Sequence, residues 1–128
     1  MKRSMLQVYV CGSNAAVALY QQAFDAPLLV GYQHENGTYH HAELDVHGQV
    51  LAVSEAEPIG QDGAEPRVTG NTMQFCLHFG EGQEAAVRQA YAALAEGGTV
   101  MFPLGDCPFS PLMADVVDRF GVRWCIFV

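Results

Sequence analysis

Apolar residues alternate at first, then recur at helical spacing, then alternate again. From Met5 to Val10 the period is that of a strand, with Leu6, Val8 and Val10 on one face and Gln7 and Tyr9 on the other. Gly12, Ser13 and Asn14 interrupt this run, and Ser13 or Asn14 is expected to cap a helix by accepting an orphan backbone N–H. Val17, Tyr20 and Phe24 fall on one helical face, and Pro27 follows the stop. LLVGYQH and TYHHAELDV then flank Asn36-Gly37, which predicts a two-residue hairpin because a type I′ turn needs positive φ at both central positions. His47-Gly48 is a weaker turn signal leading into QVLAVSE. The predicted order is β-α-β-β-β.

The same order recurs in the second half. NTMQFCLHF predicts a strand, and Glu84 to Glu96 a helix with Val87, Tyr91 and Leu94 on one face. Gly97-Gly98 ends that helix, since glycine accepts the left-handed conformation. TVMFPL, PLMADVVD and VRWCIFV predict the remaining strands. Phe120-Gly121 falls where His47-Gly48 falls earlier, and Tyr20 and Tyr91 hold matching helix positions, so the pattern reads as a duplication. EAEPIGQDGAEPRVTG, rich in Gly, Pro and acids, reads as a linker or flap. One domain over residues 1–128 is expected, with a first module at about 4–55, a linker at 56–71 and a second module at about 72–128.

Composition narrows the functions open to such a chain. Of its 128 residues half are hydrophobic and only 16% charged, which suits a packed core. Six Lys plus Arg and a net charge of -8 argue against nucleic-acid binding, because an acidic surface repels phosphates. The N-terminal MKRSMLQVYVCGSN lacks the long apolar run of a signal peptide, and no segment nears the roughly 20 apolar residues that span a bilayer. Cys11, Cys76, Cys107 and Cys125 form no CxxC pair and are expected to be free thiols. A cytoplasmic protein without membrane partners is the expectation.

Four stretches carry a family resemblance: GSNAAVALYQQAF, HAEL, ALAEGGTVMFPL and VVDRFGVRWCIFV. Together they resemble the vicinal oxygen chelate superfamily of glyoxalase I, bleomycin-resistance proteins and extradiol dioxygenases, and within it the PhnB-like branch. The resemblance implies an α+β fold in which two βαβββ modules form a U-shaped mixed sheet around a cup, usually in a homodimer. It also implies that GDCPFSPLM is a loop carrying Phe109 over the cup, the alternative being a plain connection between strands. In metal-dependent relatives, His, Gln or Glu ligands stand on the first and last strand of each module. The matching positions here offer Met5, Leu6 or Gln7, then Ala52 or Ser54 with Glu55 adjacent, then Met73 or Gln74, and finally Cys125. That set does not suit a hard divalent ion, so no cofactor or metal site is expected.

Strand alternation says which side chains would line such a cup. A turn at His47-Gly48 pairs Val46 with Gln49, Leu44 with Leu51 and Ala42 with Val53 on the helix-facing side. Asp45 with Val50, Glu43 with Ala52, and His41 with Ser54 then take the mixed face. His41 and Glu43 are the candidate catalytic pair, since Glu43 can orient an imidazole that titrates near neutrality. The alternative is a satisfied pair within the sheet. Gln7, Tyr9, Ser54, Gln74 and Phe109 are the candidate ligand-binding residues. Met73, Phe75, Leu77 and Phe79, like Val122, Trp124 and Ile126, are expected in the core. Cys76 and Cys125 are expected as small core hydrophobes, His78 as a strand-end cap, and His40, Glu55 and the turn residue His47 away from the cup. A His41, Glu43, Cys76, His78 and Cys125 set has zinc-compatible types but no ligand spacing. Binding of a small organic ligand is the leading expectation. The alternatives are a metal-dependent lyase or dioxygenase, an antibiotic-sequestering resistance protein, and a structural dimer with a vestigial cup.

Overall fold

Burial of one alternating set of strand residues fixes where the first helix sits. Val8 and Val10 of β1 (Leu6–Val10), Ala42, Leu44 and Val46 of β3 (Tyr39–Val46), and Leu51 and Val53 of β4 (Gln49–Glu55) are all buried. So are Ala16, Val17, Leu19, Tyr20, Ala23 and Phe24 of α1 (Ser13–Phe24). Each large apolar side chain so buried contributes roughly 1.5–3 kcal/mol, which holds the helix over this face. With β2 (Leu28–Gln33) the strands form one sheet in the order β1-β4-β3-β2, β1 parallel to β4 and the other pairs antiparallel. The computed structural model describes residues 1–57, 63 and 72–128.

The β3–β4 register follows the alternation, with Ala42, Glu43, Leu44, Asp45 and Val46 opposite Val53, Ala52, Leu51, Val50 and Gln49. The turns are less obedient. His47 (φ 52°) and Gly48 (φ 87°) both take the left-handed conformation, so the weaker signal makes the tight two-residue turn. At Asn36-Gly37 only Gly37 does (φ 86°). There Gly37 N donates to His34 O (3.0 Å) and His34 N to Thr38 O (2.8 Å), a longer turn closed by a left-handed glycine. Asn36 Oδ1 accepts from Thr38 N (3.0 Å) and Thr38 Oγ1 (2.6 Å), local bonds that compete with the two-residue geometry. Leu6, expected in the core, opens an edge strand and is 55% exposed.

The start of α1 also departs from expectation. Its cap position is Gly12 (φ 81°), without a side-chain capping bond from Ser13 or Asn14. Glu55, at the far end of β4, instead accepts from Gly12 N (3.0 and 3.1 Å) and Ser13 N (2.8 Å). Ser13 Oγ accepts from Tyr39 N (2.7 Å), tying helix to sheet. Burial pushes the Glu55 carboxyl upward, but the Gly12 and Ser13 amides, with the Ser13 side chain and His34 adding to them, hold it below its usual value.

The second half repeats this topology. β5 (Phe75–His78), α2 (Glu84–Ala95), β6 (Thr99–Cys107), β7 (Ser110–Val117) and β8 (Arg123–Phe127) give a sheet ordered β5-β8-β7-β6. β5 runs parallel to β8 and the other pairs are antiparallel. Ala114, Val116, Trp124 and Ile126 are buried, with Val87, Ala90, Ala93 and Leu94 of α2. β5 is shorter than its apolar run, leaving Met73 outside it and 77% exposed. β6 and β7 take in most of GDCPFSPLM, and only Pro108 and Phe109 lie between them, so the expected loop is the tip of a hairpin.

α2 ends through Glu96 (φ -65°, ψ 117°) and Gly97 (φ 71°), with Gly98 N donating to Ala95 O (3.1 Å), a type II turn. Gly98 has a different job from Gly97: a Cβ there would run into the Val117 carbonyl and the Asp118 Cα. Gly121 (φ 87°) closes the β7–β8 turn with bonds to Asp118, the pattern of His34–Thr38 rather than of His47-Gly48. Asp118 is buried and accepts from Phe120 N (2.9 Å), Val122 N (3.1 Å) and Trp124 Nε1 (2.9 Å). Two compact units therefore divide the chain, one on each side of the segment between β4 and β5. Apart from residues 56, 57 and 63, the expected linker lies outside the described residues.

Candidate ligand site

On the first sheet, the face away from α1 centres on Glu43. Its side chain is only 6% exposed, yet it carries charge. Arg3 reaches it with both terminal nitrogens, Nη1 to Oε2 at 3.0 Å and Nη2 to Oε1 at 2.8 Å. His41 Nε2 lies 3.0 Å from the same Oε1. The Arg3 bonds first, then the His41 bond, hold the Glu43 carboxyl below its usual value against the opposing effect of burial. In the neutral tautomer that donates from Nε2 to Glu43, Nδ1 is the nitrogen left to accept. On the same face Gln7 Nε2 donates to Ser54 Oγ (2.8 Å). Tyr9 and Tyr32 are 63% and 64% exposed, Tyr32 being the register partner of His41.

The second sheet carries a matching acid. Asp115 stands opposite Cys125 as Glu43 stands opposite Ala52. Arg123 grips it through Nε to Oδ1 (3.0 Å) and Nη2 to Oδ2 (2.9 Å). The two sheets thus neutralise the same position with different arginines, Arg3 from the stretch before β1 and Arg123 from β8. Beside this pair, Cys76 and Cys125 are register partners, and so are His78 and Phe127. His78 stacks on Phe127 with ring centroids 4.7 Å apart and planes 12° apart, and Phe109 meets Phe127 edge-on at 5.3 Å.

The residues expected from the sequence sort by sheet. His41 and Glu43 are bonded together, Gln7 and Ser54 are bonded together, and Tyr9 shares their face. Gln74 precedes β5, where its Oε1 accepts from Cys76 Sγ at 3.9 Å, and Phe109 is the exposed tip of the β6–β7 hairpin. Cys76 is exposed on an edge strand, so the expectation of a core residue holds only for the buried Cys125. His78 stacks on an aromatic ring rather than capping its strand. Sequence reasoning missed Arg3, which lies in no periodic segment and is 40 residues from its partner. Asp115 with Arg123 was open to discovery, since alternation puts Arg123 on the mixed face of β8 and the turn brings Asp115 alongside.

The positions at which the resemblance implies metal ligands do not fit a metal. Gln7 and Ser54 bond to each other, and Glu55 is held by backbone amides. The Cys125 thiol is pushed up to about 11, by burial first and then by Cys76, so it stays protonated near neutral pH. Among the described residues no group of three or more His, Cys, Asp or Glu is placed to hold an ion. Nor, among them, is any helix long and apolar enough to cross a membrane.

A family model described as the Glyoxalase/Bleomycin resistance protein/Dioxygenase superfamily matches residues 3–126. Among solved structures, the chain is similar to the PhnB protein of Bacillus cereus, with 19% identity, TM-score 0.77 and coverage of 99% of this chain and 98% of that one. Protein PA1353 of Pseudomonas aeruginosa shares 24% identity at TM-score 0.78, over 99% and 97% of the two chains. A mutant of the fosfomycin resistance protein FosX of Listeria monocytogenes, complexed with Mn(II) and 1S,2S-dihydroxypropylphosphonic acid, shares 10% identity at TM-score 0.64, over 98% and 87%. At these identities the likeness is one of fold. No curated protein matches the chain.

Proposed function

Because the chain belongs to the glyoxalase/bleomycin resistance protein/dioxygenase superfamily, a scaffold that hosts several chemistries, we propose that it binds a small, uncharged organic ligand without the family's metal. One observation carries this reading: the central carboxylate of each helix-free face is already held by an arginine through two bonds. Neither acid is left to neutralise a cationic ligand, and Glu43 is poorly placed to take a proton from a substrate. Exposed aromatic surface and a few fixed polar groups remain, the composition that suits small organic molecules. His41 Nδ1 accepts from the ligand, Glu43 is the positioning residue that fixes the ring, and Tyr9 packs on the ligand's apolar part. Gln7 and Ser54 supply further polar contacts. Gln74 and Phe109 serve the corresponding face of the second sheet, and the protein works as a homodimer.

Thermal-shift measurements with neutral aromatic alcohols, small acids, aldehydes and the cationic glycopeptide bleomycin test this. A ligand present at 100 times its Kd adds about 2.7 kcal/mol of stability and raises the midpoint visibly. The neutral aromatic compounds are expected to do so, and His41→Ala and Tyr9→Ala to abolish the rise. A shift with bleomycin alone, or one indifferent to both substitutions, would overturn the proposal.

A further inference from the structure

The second sheet holds two thiols on adjacent rungs of its parallel pair. Cys76 of β5 and Cys125 of β8 are register partners, so both side chains leave the same face of the sheet. Neighbouring strands lie about 4.8 Å apart, inside the roughly 4.4–6.8 Å between Cα atoms that a disulfide spans. Their Cβ atoms, at about the strand spacing, need to close by only a few tenths of an ångström to reach the roughly 4.5 Å limit of a disulfide. Cys76 is exposed on an edge strand, and Cys125 is buried beside it. The next rung on the same face is the His78–Phe127 stack.

We infer that Cys76 and Cys125 are a redox-modification site that closes to an intrachain disulfide under a hydroperoxide oxidant. The exposed Cys76 thiolate attacks one peroxide oxygen, the O–O bond breaks, and Cys76 becomes a sulfenic acid. Cys125 then loses its proton, its sulfur attacks the Cys76 sulfur, the S–O bond breaks, and hydroxide leaves to take up the proton. Two thiols and one hydrogen peroxide give one disulfide and two waters. The order follows from exposure: the accessible thiol meets the oxidant and its sheltered neighbour resolves it. Burial holds the Cys125 thiol up at about 11, so closure is the slower step and quickens as pH rises. Because Cys76 is exposed, the bond is open to attack on its sulfur, and it reopens with a dithiol reductant.

The tryptic map resolves the site, because cleavage after Arg67, Arg88, Arg119 and Arg123 leaves the four cysteines in separate peptides. The full chain is treated with hydrogen peroxide, alkylated, digested and read by mass spectrometry. The expected result is linkage of peptide 68–88 to peptide 124–128, loss of two of the four free thiols, and recovery of both with dithiothreitol. Cys107→Ser is expected to leave the linkage intact, and Cys125→Ala to leave a sulfenic acid at Cys76 that dimedone traps. Linkage through Cys107, crosslinks between chains through Cys11 alone, or four thiols surviving the oxidant would each overturn the assignment. The wild-type map decides the matter even if Cys125→Ala does not fold.

Discussion

Glu43 and Glu55 are acids in different trades: one is gripped by Arg3 and His41, the other by the first amides of α1. Both carboxyls sit below their ordinary value, so the unfolded chain binds protons more readily than the folded one. Their contribution is therefore fully present above the unfolded value of 4.5 and is lost as pH falls through the lower folded values. Urea unfolding at a series of acidic pH values is expected to show stability falling below about pH 4.5, with a shallower fall in Glu43→Gln and Glu55→Gln. Glu55→Ala should in addition cost about 1–2 kcal/mol near pH 7, the usual effect of losing a helix cap. An acid limb unchanged in both Gln variants would remove these two groups from the account. The His41–Glu43 contact was legible in strand alternation, because residues two apart share a face. Arg3 was not, because no periodicity reports which distant guanidinium completes a pair.

Strands and helices answer to pattern, but their junctions answer to the chain they meet. Alternation over residues 38–55 set the β3–β4 register, and the seven-residue spacing in each half set both helices. Turn chemistry was a poorer guide. Asn36-Gly37 has the stronger signature, but Asn36 spends its side chain on Thr38, while His47 accepts the left-handed conformation beside Gly48. Gly97 and Gly98 look like one helix stop in the sequence. Only Gly97 is there for its φ, and Gly98 is there because β7 leaves no room for a Cβ. Gly98→Ala is thus expected to lower stability by about 1–3 kcal/mol, the range for forcing a methyl into a packed contact. Guanidinium unfolding midpoints measure it, and an Ala variant as stable as the parent would show that β7 yields.

At the scale of the molecule, two sheets of one topology carry one acid each at equivalent positions and dispose of it in the same way. What the duplication keeps is the strand order and the buried face; what it varies is the turns, the arginine donor and the helix cap. The metal-dependent reading of the family makes a clear contrast at this scale. Adding Mn(II), Ni(II) or Fe(II) to chelator-treated protein is expected to leave the thermal midpoint unchanged, and metal analysis after purification without chelator to find no stoichiometric ion. One equivalent retained through gel filtration, with a raised midpoint, would restore the lyase or dioxygenase reading.

The sequence by itself determined the two βαβββ modules, the β3–β4 register and the face on which His41 and Glu43 lie. A sheet's period of two and a helix's of 3.6 are local properties that survive in one dimension. Only the tertiary structure decided that Arg3 takes Glu43, that Glu55 takes the α1 amides, and that Cys76 stands beside Cys125. Those pairings join residues some 40 or more positions apart, and chain separation leaves no imprint on periodicity; folding alone brings such groups within bonding distance.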